Sequence, residues 1–244
     1  MTAKGSQRLS CIRPGAVDRQ ACAILFARSP EKGRVKTRLA SLLEEDAVLE
    51  LYRCFVHDIL ATLMRSGFEL RIFFYPPEAR KEIRDWLGSA HRYAAQQGED
   101  LGRRMKNAFR SVFNEGFHRS ILIGSDVPDL PLCIVEEAVT ALSSRDAVVG
   151  PARDGGYYLI GFNADRFPQE VFRHIHWGTS TVFQETSRVL RDRGYDVCEL
   201  PQWRDIDTHE DLLRFMHDHE STPEGCLMTL DYLRACARKQ DDQV

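Results

Sequence analysis

Three stretches far apart in the chain carry side chains suited to holding a phosphorylated ligand. The first is Arg28-Ser-Pro-Glu-Lys-Gly-Arg-Val-Lys-Thr-Arg38, with the cations Arg28, Lys32, Arg34, Lys36 and Arg38 and a single acid, Glu31. Pro30 and Gly33 mark it as a loop. A basic, glycine-containing loop directly after a buried strand is where α/β proteins cradle phosphate; the same residues also read as a solvated basic turn. The loop matches neither G-x-x-x-x-G-K-[ST] nor G-x-G-x-x-G. The second stretch, Ile121-Leu-Ile-Gly-Ser-Asp126, is an apolar run that ends in an aspartate and is stopped by Pro128. The third, Asp205-Ile-Asp207-Thr-His-Glu-Asp211, places Asp207 at a strand-to-helix junction, as a second metal ligand or as a capping acid. Hard cations such as Mg²⁺ take oxygen ligands, typically one or two carboxylates together with substrate phosphates. Asp126 and Asp207 could hold such an ion while the basic loop neutralises a diphosphate from the other side. Neither a Ser/His/Asp triad nor an activated cysteine shows itself.

The elements that must position these residues alternate between strand and helix. Ala21–Ala27, Leu70–Tyr75 and Tyr93–Gln96 read as strands, and the first is apolar throughout, as in a parallel sheet buried on both faces. Ser41-Leu-Leu-Glu44 has the form of a capping box. It opens a long amphipathic helix whose apolar residues recur at Leu51, Phe55, Ile59 and Leu63 and which ends at Gly67; His57 inside it reads as structural. Helices are expected over Glu78–Leu87, from Glu99 or Asp100 to Phe113, from Pro131 to Leu142, over Val182–Arg193 and over Leu227–Ala237, with Thr208 and Asp211 capping one more. Asp146–Ala152 and Tyr157–Phe162 read as a hairpin with Asp154-Gly155-Gly156 at its tip. Two glycines beside an acid let backbone approach a ligand closely, although spacing alone fits an ordinary hairpin turn. In an open parallel sheet, ligands bind beyond the carboxyl ends of the strands, where Asp126 sits.

Composition narrows the class. The chain has 244 residues, 43% hydrophobic and 28% charged, which suits one α/β domain with a sizeable core. A net charge of -3 gives no reason to expect nucleic-acid binding. The seven cysteines form no C-x-x-C pair, so reduced, buried thiols in a cytoplasmic protein are expected rather than a zinc site. No stretch approaches the roughly 18 apolar residues of a membrane span. Residues 1–20 read as a disordered extension without a signal peptide, 21–220 as the functional domain, and 221–244 as a C-terminal helix and tail that could serve a homodimer contact.

Five blocks in order carry a resemblance. They are Phe26–Leu39, Gln97-Gly-Glu-Asp-Leu-Gly-Arg-Arg-Met105, Gly124-Ser-Asp-Val-Pro128, Gly150-Pro-Ala-Arg-Asp-Gly-Gly-Tyr-Tyr-Leu-Ile-Gly161 and Asp205–Leu212. Over about residues 21–215 the chain resembles bacterial glycosyltransferase-like proteins associated with radical-SAM and selenium-domain genes, within the GT-A, or nucleotide-diphospho-sugar transferase, superfamily. The resemblance implies a GT-A-like three-layer α/β sandwich, a mainly parallel sheet with a late hairpin, and a divalent cation, Mg²⁺ or Mn²⁺. It implies Asp126 and Asp207 as metal ligands, with Lys36, Arg38 and Arg28 on phosphate and Arg103 or Arg104 reaching it from the start of the following helix. Asp154, Gly155 and Gly156 would contact sugar or acceptor, with Asp154 a general base and Lys36 a second catalytic group. Trp177 is placed to stack on an acceptor ring, or to fill the core as a half-buried tryptophan. The sequence departs from the Asp-x-Asp of typical glycosyltransferases: Asp126-Val-Pro-Asp129 puts the next acid one residue late. Transfer of a sugar from a nucleotide-diphospho-sugar to a small-molecule acceptor is the leading expectation. Nucleotidyl transfer from an NTP to a phosphorylated acceptor is the alternative, and a non-catalytic nucleotide-binding protein the third.

Overall fold

The computed structural model describes residues 20–40 and 43–241. The expected N-terminal extension (apart from Gln20), the Ser41 cap and the last three residues lie outside them. Seven strands form one sheet: β1 Ala21–Arg28, β2 Glu69–Tyr75, β3 Arg92–Ala95, β4 Arg119–Ile123, β5 Ala147–Pro151, β6 Tyr157–Asn163 and β7 Val197–Glu199. The spatial order is β3-β2-β1-β4-β6-β5-β7. β1 pairs in parallel with β2 and β4, β2 with β3, and β5 with β7. β6 alone runs against its neighbours, antiparallel to both β4 and β5. The fold is therefore the GT-A-like α/β sandwich, with the expected hairpin formed by β5 and β6. Gly161 makes β6 fit there, since a Cβ on it would lie 2.8 Å from side-chain atoms of both Ile121 and Val148.

The helices are α1 Glu45–Arg65, α2 Arg80–Leu87, α3 Leu101–Asn114, α4 Leu132–Ala141, α5 Val182–Asp192, α6 His209–Asp218 and α7 Met228–Asp241. A short 3₁₀ turn over Gln169–Phe172, which the apolar pattern does not announce, follows β6. One face of the sheet packs on α1, α2 and α4 through Leu25, Ile72, Ile123 and Val148 against Val56, Ile83 and Val135. The other packs on α3 and α5 through Ile24, Leu122 and Phe162 against Phe109, Val112 and Leu190. A third cluster joins Leu51 and Phe55 of α1 to Leu212 and Phe215 of α6 and to Leu230 and Leu233 of α7. The C-terminal helix thus shares a core with the rest of the chain.

Local signals act as their chemistry dictates. Asp100 caps α3 by accepting from the Arg103 amide at 2.7 Å. Thr208 and Asp211 form a reciprocal capping box on α6. Among the described cysteines, all free, Cys22 and Cys54 are buried but Cys133 and Cys226 are exposed, so burial is not their general state. No helix among the described residues is long and apolar enough to cross a membrane.

Candidate functional site

Two adjoining cavities open beyond the carboxyl ends of β1 and β4. The first, of about 510 Å³, is lined by Arg28, Arg34, Lys36, Arg38, Tyr75, Gln96, Arg104 and Asp126, among others. The second, of about 480 Å³, is lined by Arg38, Asp126, Asp154, Gly156, Trp177, Ser180, Asp205 and Asp207, among others. They share Arg38, Leu101, Gly124, Asp126, Tyr157, Tyr158 and Asp207. Most of the residues nominated from sequence therefore meet around one cleft, although they come from five separate segments.

Asp126 follows β4 by three residues, and its carbonyl accepts from the Ile206 amide at 3.0 Å. That bond ties the two aspartate-bearing segments together. The Lys36 ammonium lies 2.8 Å from Asp126 Oδ1 and 2.7 Å from Asp207 Oδ1, and it donates to the Ile206 carbonyl at 2.7 Å. Burial opposes the Lys36 charge, yet the carboxylates of Asp126 and Asp207 outweigh it and hold the pKa above the ordinary lysine value. The sequence reading gave Lys36 to phosphate; here it is engaged by protein acceptors. Of the other loop cations, Arg28, Arg34 and Arg38 line the first cavity, while Lys32 is held by Asp46.

A fourth acid, Asp205, joins the three expected from sequence. Carboxylate oxygens of Asp154, Asp205 and Asp207 all lie within 4.8 Å of one another. Burial, followed by the charges of Asp154 and Asp207, pushes the Asp205 carboxyl up to about 7. Its signal was present: in the extended segment Asp205-Ile206-Asp207, residues two apart share a face. Ile206, 1% exposed, turns to the core between them. This cluster of hard oxygen donors beside Asp126 fits a divalent cation that also binds phosphate. Asp129 does not join it. It accepts from Trp203 Nε1 at 3.0 Å and lines a different cavity, in keeping with its late spacing.

The hairpin tip divides its roles. Asp154 lines the second cavity and accepts from the Gly156 amide at 2.7 Å. Gly156 lines the cavity as well, but Gly155 does not. Gly155 has φ 91°, and a Cβ there would fall 2.0 Å from the Ser180 carbonyl oxygen. Glycine is needed at that position because chain packs directly against chain. Trp177 is half-buried with an edge-to-face contact to Tyr157 at 6.4 Å, and it also lines the second cavity. Its packing and its place on the cavity wall are thus compatible.

At the start of α3 the two candidate arginines part. Arg103 is held by Glu99 and Asp100 and lines neither cavity. Arg104, turned about 100° further round the helix, lines the first cavity and lies 4.1 Å from the centre of the Tyr75 ring. Gln96 is a second residue missed from sequence. Its amide nitrogen donates to the Phe73 carbonyl at 2.9 Å and, more weakly, to the Ala27 carbonyl at 3.4 Å. The amide oxygen has no donor among the described residues, although Gln96 lines the first cavity. Its position at the end of β3 was readable, but which atom faces the cleft depends on carbonyls from two other strands.

Comparison with known proteins places these features in a family. Residues 59–179 match the family described as an uncharacterized protein conserved in bacteria (DUF2064). A protein of Desulfovibrio desulfuricans G20, provisionally named a nucleotide-diphospho-sugar transferase, is 41% identical, with TM-score 0.86 over 89% of this chain and 95% of that one. The 4-diphosphocytidyl-2C-methyl-D-erythritol synthase of Anaerococcus prevotii DSM 20548 is 12% identical, with TM-score 0.55 over 81% of this chain and 95% of that one. Rv0371c of Mycobacterium tuberculosis H37Rv, solved as a manganese complex, is 16% identical, with TM-score 0.52 over 81% of this chain and 98% of that one. The last two likenesses establish the fold alone. A comparison with curated proteins finds no match.

Proposed function

The chain belongs to the bacterial DUF2064 family, and from that premise we propose that it is a divalent-cation-dependent transferase acting on a nucleotide-activated donor. The observation that carries this reading is that Asp126, Asp154, Asp205 and Asp207 line the same pair of adjoining cavities as the loop cations Arg28, Arg34 and Arg38. The nucleoside occupies the first cavity, where Gln96 offers an acceptor and Tyr75, backed by Arg104, a flat aromatic wall. The diphosphate lies between the arginines and the aspartates. Asp126 and Asp207, with Asp205 beside them, would hold Mg²⁺ or Mn²⁺, which supplies charge neutralisation to the departing phosphate.

Transfer of a sugar is the specific form we favour. The second cavity is walled by Asp154, Asp205, Asp207, Ser180 and Trp177, and Arg38 is its one cationic lining residue among the described residues. Such a wall suits an uncharged, hydroxyl-bearing ring better than a phosphorylated acceptor. An acceptor hydroxyl attacks the anomeric carbon as its bond to the diphosphate oxygen breaks. The hydroxyl proton passes to the Asp154 carboxylate, and the nucleoside diphosphate leaves between Arg28 and Arg38.

Product analysis tests this. The protein is incubated with a panel of nucleotide sugars or with NTPs and sugar phosphates, each with Mn²⁺, and released phosphates are resolved by chromatography. Nucleoside diphosphate from a nucleotide sugar, lost in Asp126→Ala, is the expected result. Pyrophosphate from an NTP would replace glycosyl by nucleotidyl transfer. Metal-indifferent nucleotide binding without turnover would leave a binding protein.

A further inference from the structure

We propose that Lys36 is an internal counter-cation that joins Asp126 to Asp207 in the metal-free chain and withdraws from them when a divalent cation is taken up. The inference rests on the metal site proposed above. A lysine ammonium has three N–H groups, and here each has an acceptor: Asp126 Oδ1, Asp207 Oδ1 and the Ile206 carbonyl, at 2.8, 2.7 and 2.7 Å. The side chain is 5% exposed, beneath carboxylates that are 44% and 34% exposed. In this arrangement the ammonium has no proton left to offer a phosphate. It is also as close to both carboxylates as hydrogen bonding permits, in the position between them that a bridging cation would fill.

Two cations cannot share that position. An ion such as Mg²⁺ sits about 2.0–2.1 Å from carboxylate oxygen, and an ammonium on the same oxygens would be held against it by the fixed geometry. The lysine solves the problem of the metal-free state, in which neighbouring carboxylates would otherwise repel one another. It becomes superfluous there once a dication is bound. The backbone is consistent with an arrangement held by its ion pairs, because Lys36 has φ 46°, a left-handed conformation uncommon for a side chain of this size. Lys36 belongs to the loop between β1 and α1, which lines the first cavity, so the withdrawing ammonium moves on the side where the diphosphate is placed. One residue thereby serves as counter-ion to the two aspartates and, once the dication is bound, as phosphate ligand.

The test follows each lysine of the full chain by acylation with an N-hydroxysuccinimide ester and peptide mass spectrometry, in EDTA and in saturating Mn²⁺. Lys32 and Lys81, 52% and 84% exposed, are internal standards. Lys36 should react at least tenfold more slowly than both in EDTA and at least tenfold faster once Mn²⁺ is bound, with the standards unchanged. Calorimetry with Mn²⁺ gives the second readout. Lys36→Met, purified with Mn²⁺ in case the metal-free variant fails to fold, should bind Mn²⁺ at least tenfold more tightly. If Mn²⁺ binds and Asp126→Asn/Asp207→Asn abolishes the binding, yet Lys36 stays protected, the metal site stands and the exchange is overturned. If the double variant binds Mn²⁺ like the natural chain, or if neither the natural chain nor Lys36→Met binds it, the metal site and the exchange fall together.

Discussion

Gly67 and Gly155 share a left-handed backbone but differ in their surroundings. Gly67, just past α1, has φ 72°, with nothing within 4 Å of where a Cβ would stand. Gly155 has φ 91° and the Ser180 carbonyl oxygen 2.0 Å away. Gly67→Ala should cost only the left-handed penalty, about 1–2 kcal/mol. Gly155→Ala adds overpacking against backbone that cannot rotate aside, for a total of about 2–5 kcal/mol. Urea denaturation of the two variants measures the difference, and equal losses would contradict the close approach. The sequence marked both glycines as turn residues, but it could not tell that one faces solvent and the other a distant loop. The same limit explains Asp205 and Gln96. A single residue's type is written locally, whereas the atom it presents depends on partners such as Ile206, Phe73 and Ala27. Arg103 and Arg104 show how fine the margin is, since a correct loop, cap and helix start still left the choice between neighbours to the turn of the helix.

Helix α1 is the element on which two neighbouring residues serve two different partners. His57 faces α2, where its Nε2 accepts from Trp86 Nε1 at 3.1 Å. Asp58 faces α7, where it accepts from the amides of Met228 and Thr229 at 2.8 and 2.9 Å. These are amides of the first turn of α7, which lack partners inside that helix. Asp58→Ala should lower unfolding stability by about 1–3 kcal/mol, measured by urea denaturation; an unchanged midpoint would mean that apolar packing alone docks α7. His57 gives the pH dependence. Burial lowers its pKa below the usual histidine value, against the Asp58 charge and aided by Arg53. The neutral ring is the form that accepts from Trp86. Its contribution is therefore complete above about pH 6.5, the unfolded value, and is lost as pH falls through the lower folded value. Denaturation midpoints between pH 8 and 5 should fall on the acid side, and His57→Gln should flatten that part of the curve. An identical slope in the variant would remove His57 as its cause. The amphipathic period of α1 was plain in the sequence; its polar contacts were not, because Trp86 and Met228 lie 29 and 170 residues away from their partners.

At the scale of the whole molecule, the alternation of strand and helix made the parallel sheet readable, and the Arg153-Asp-Gly-Gly156 turn made the hairpin readable. The placement of β6 between β4 and β5 was not, since it depends on which distant strands pair. That placement matters for the site. The reversed strand begins just after the Asp154 turn, at the edge where β4 ends, and so brings Asp154 beside Asp207. Asp126, the hairpin tip, the Asp205–Asp207 segment and the basic loop are separate spans of chain, joined at the cleft by a few bonds such as Ile206 N to Asp126 O. A ligand and cation that bridge them bind only the folded arrangement, because no unfolded chain keeps those spans together. Binding must then raise global stability by mass action: at a ligand concentration of a hundred times Kd the gain is about 2.7 kcal/mol. For a chain of this size that corresponds to a rise in Tm of about 5–11 °C. The expected outcome is a rise of that order with the correct nucleotide sugar and Mn²⁺ together, reversed by EDTA and absent in Asp207→Ala. A rise that survives EDTA would instead place the binding energy in the basic loop and the first cavity, with the aspartates as bystanders.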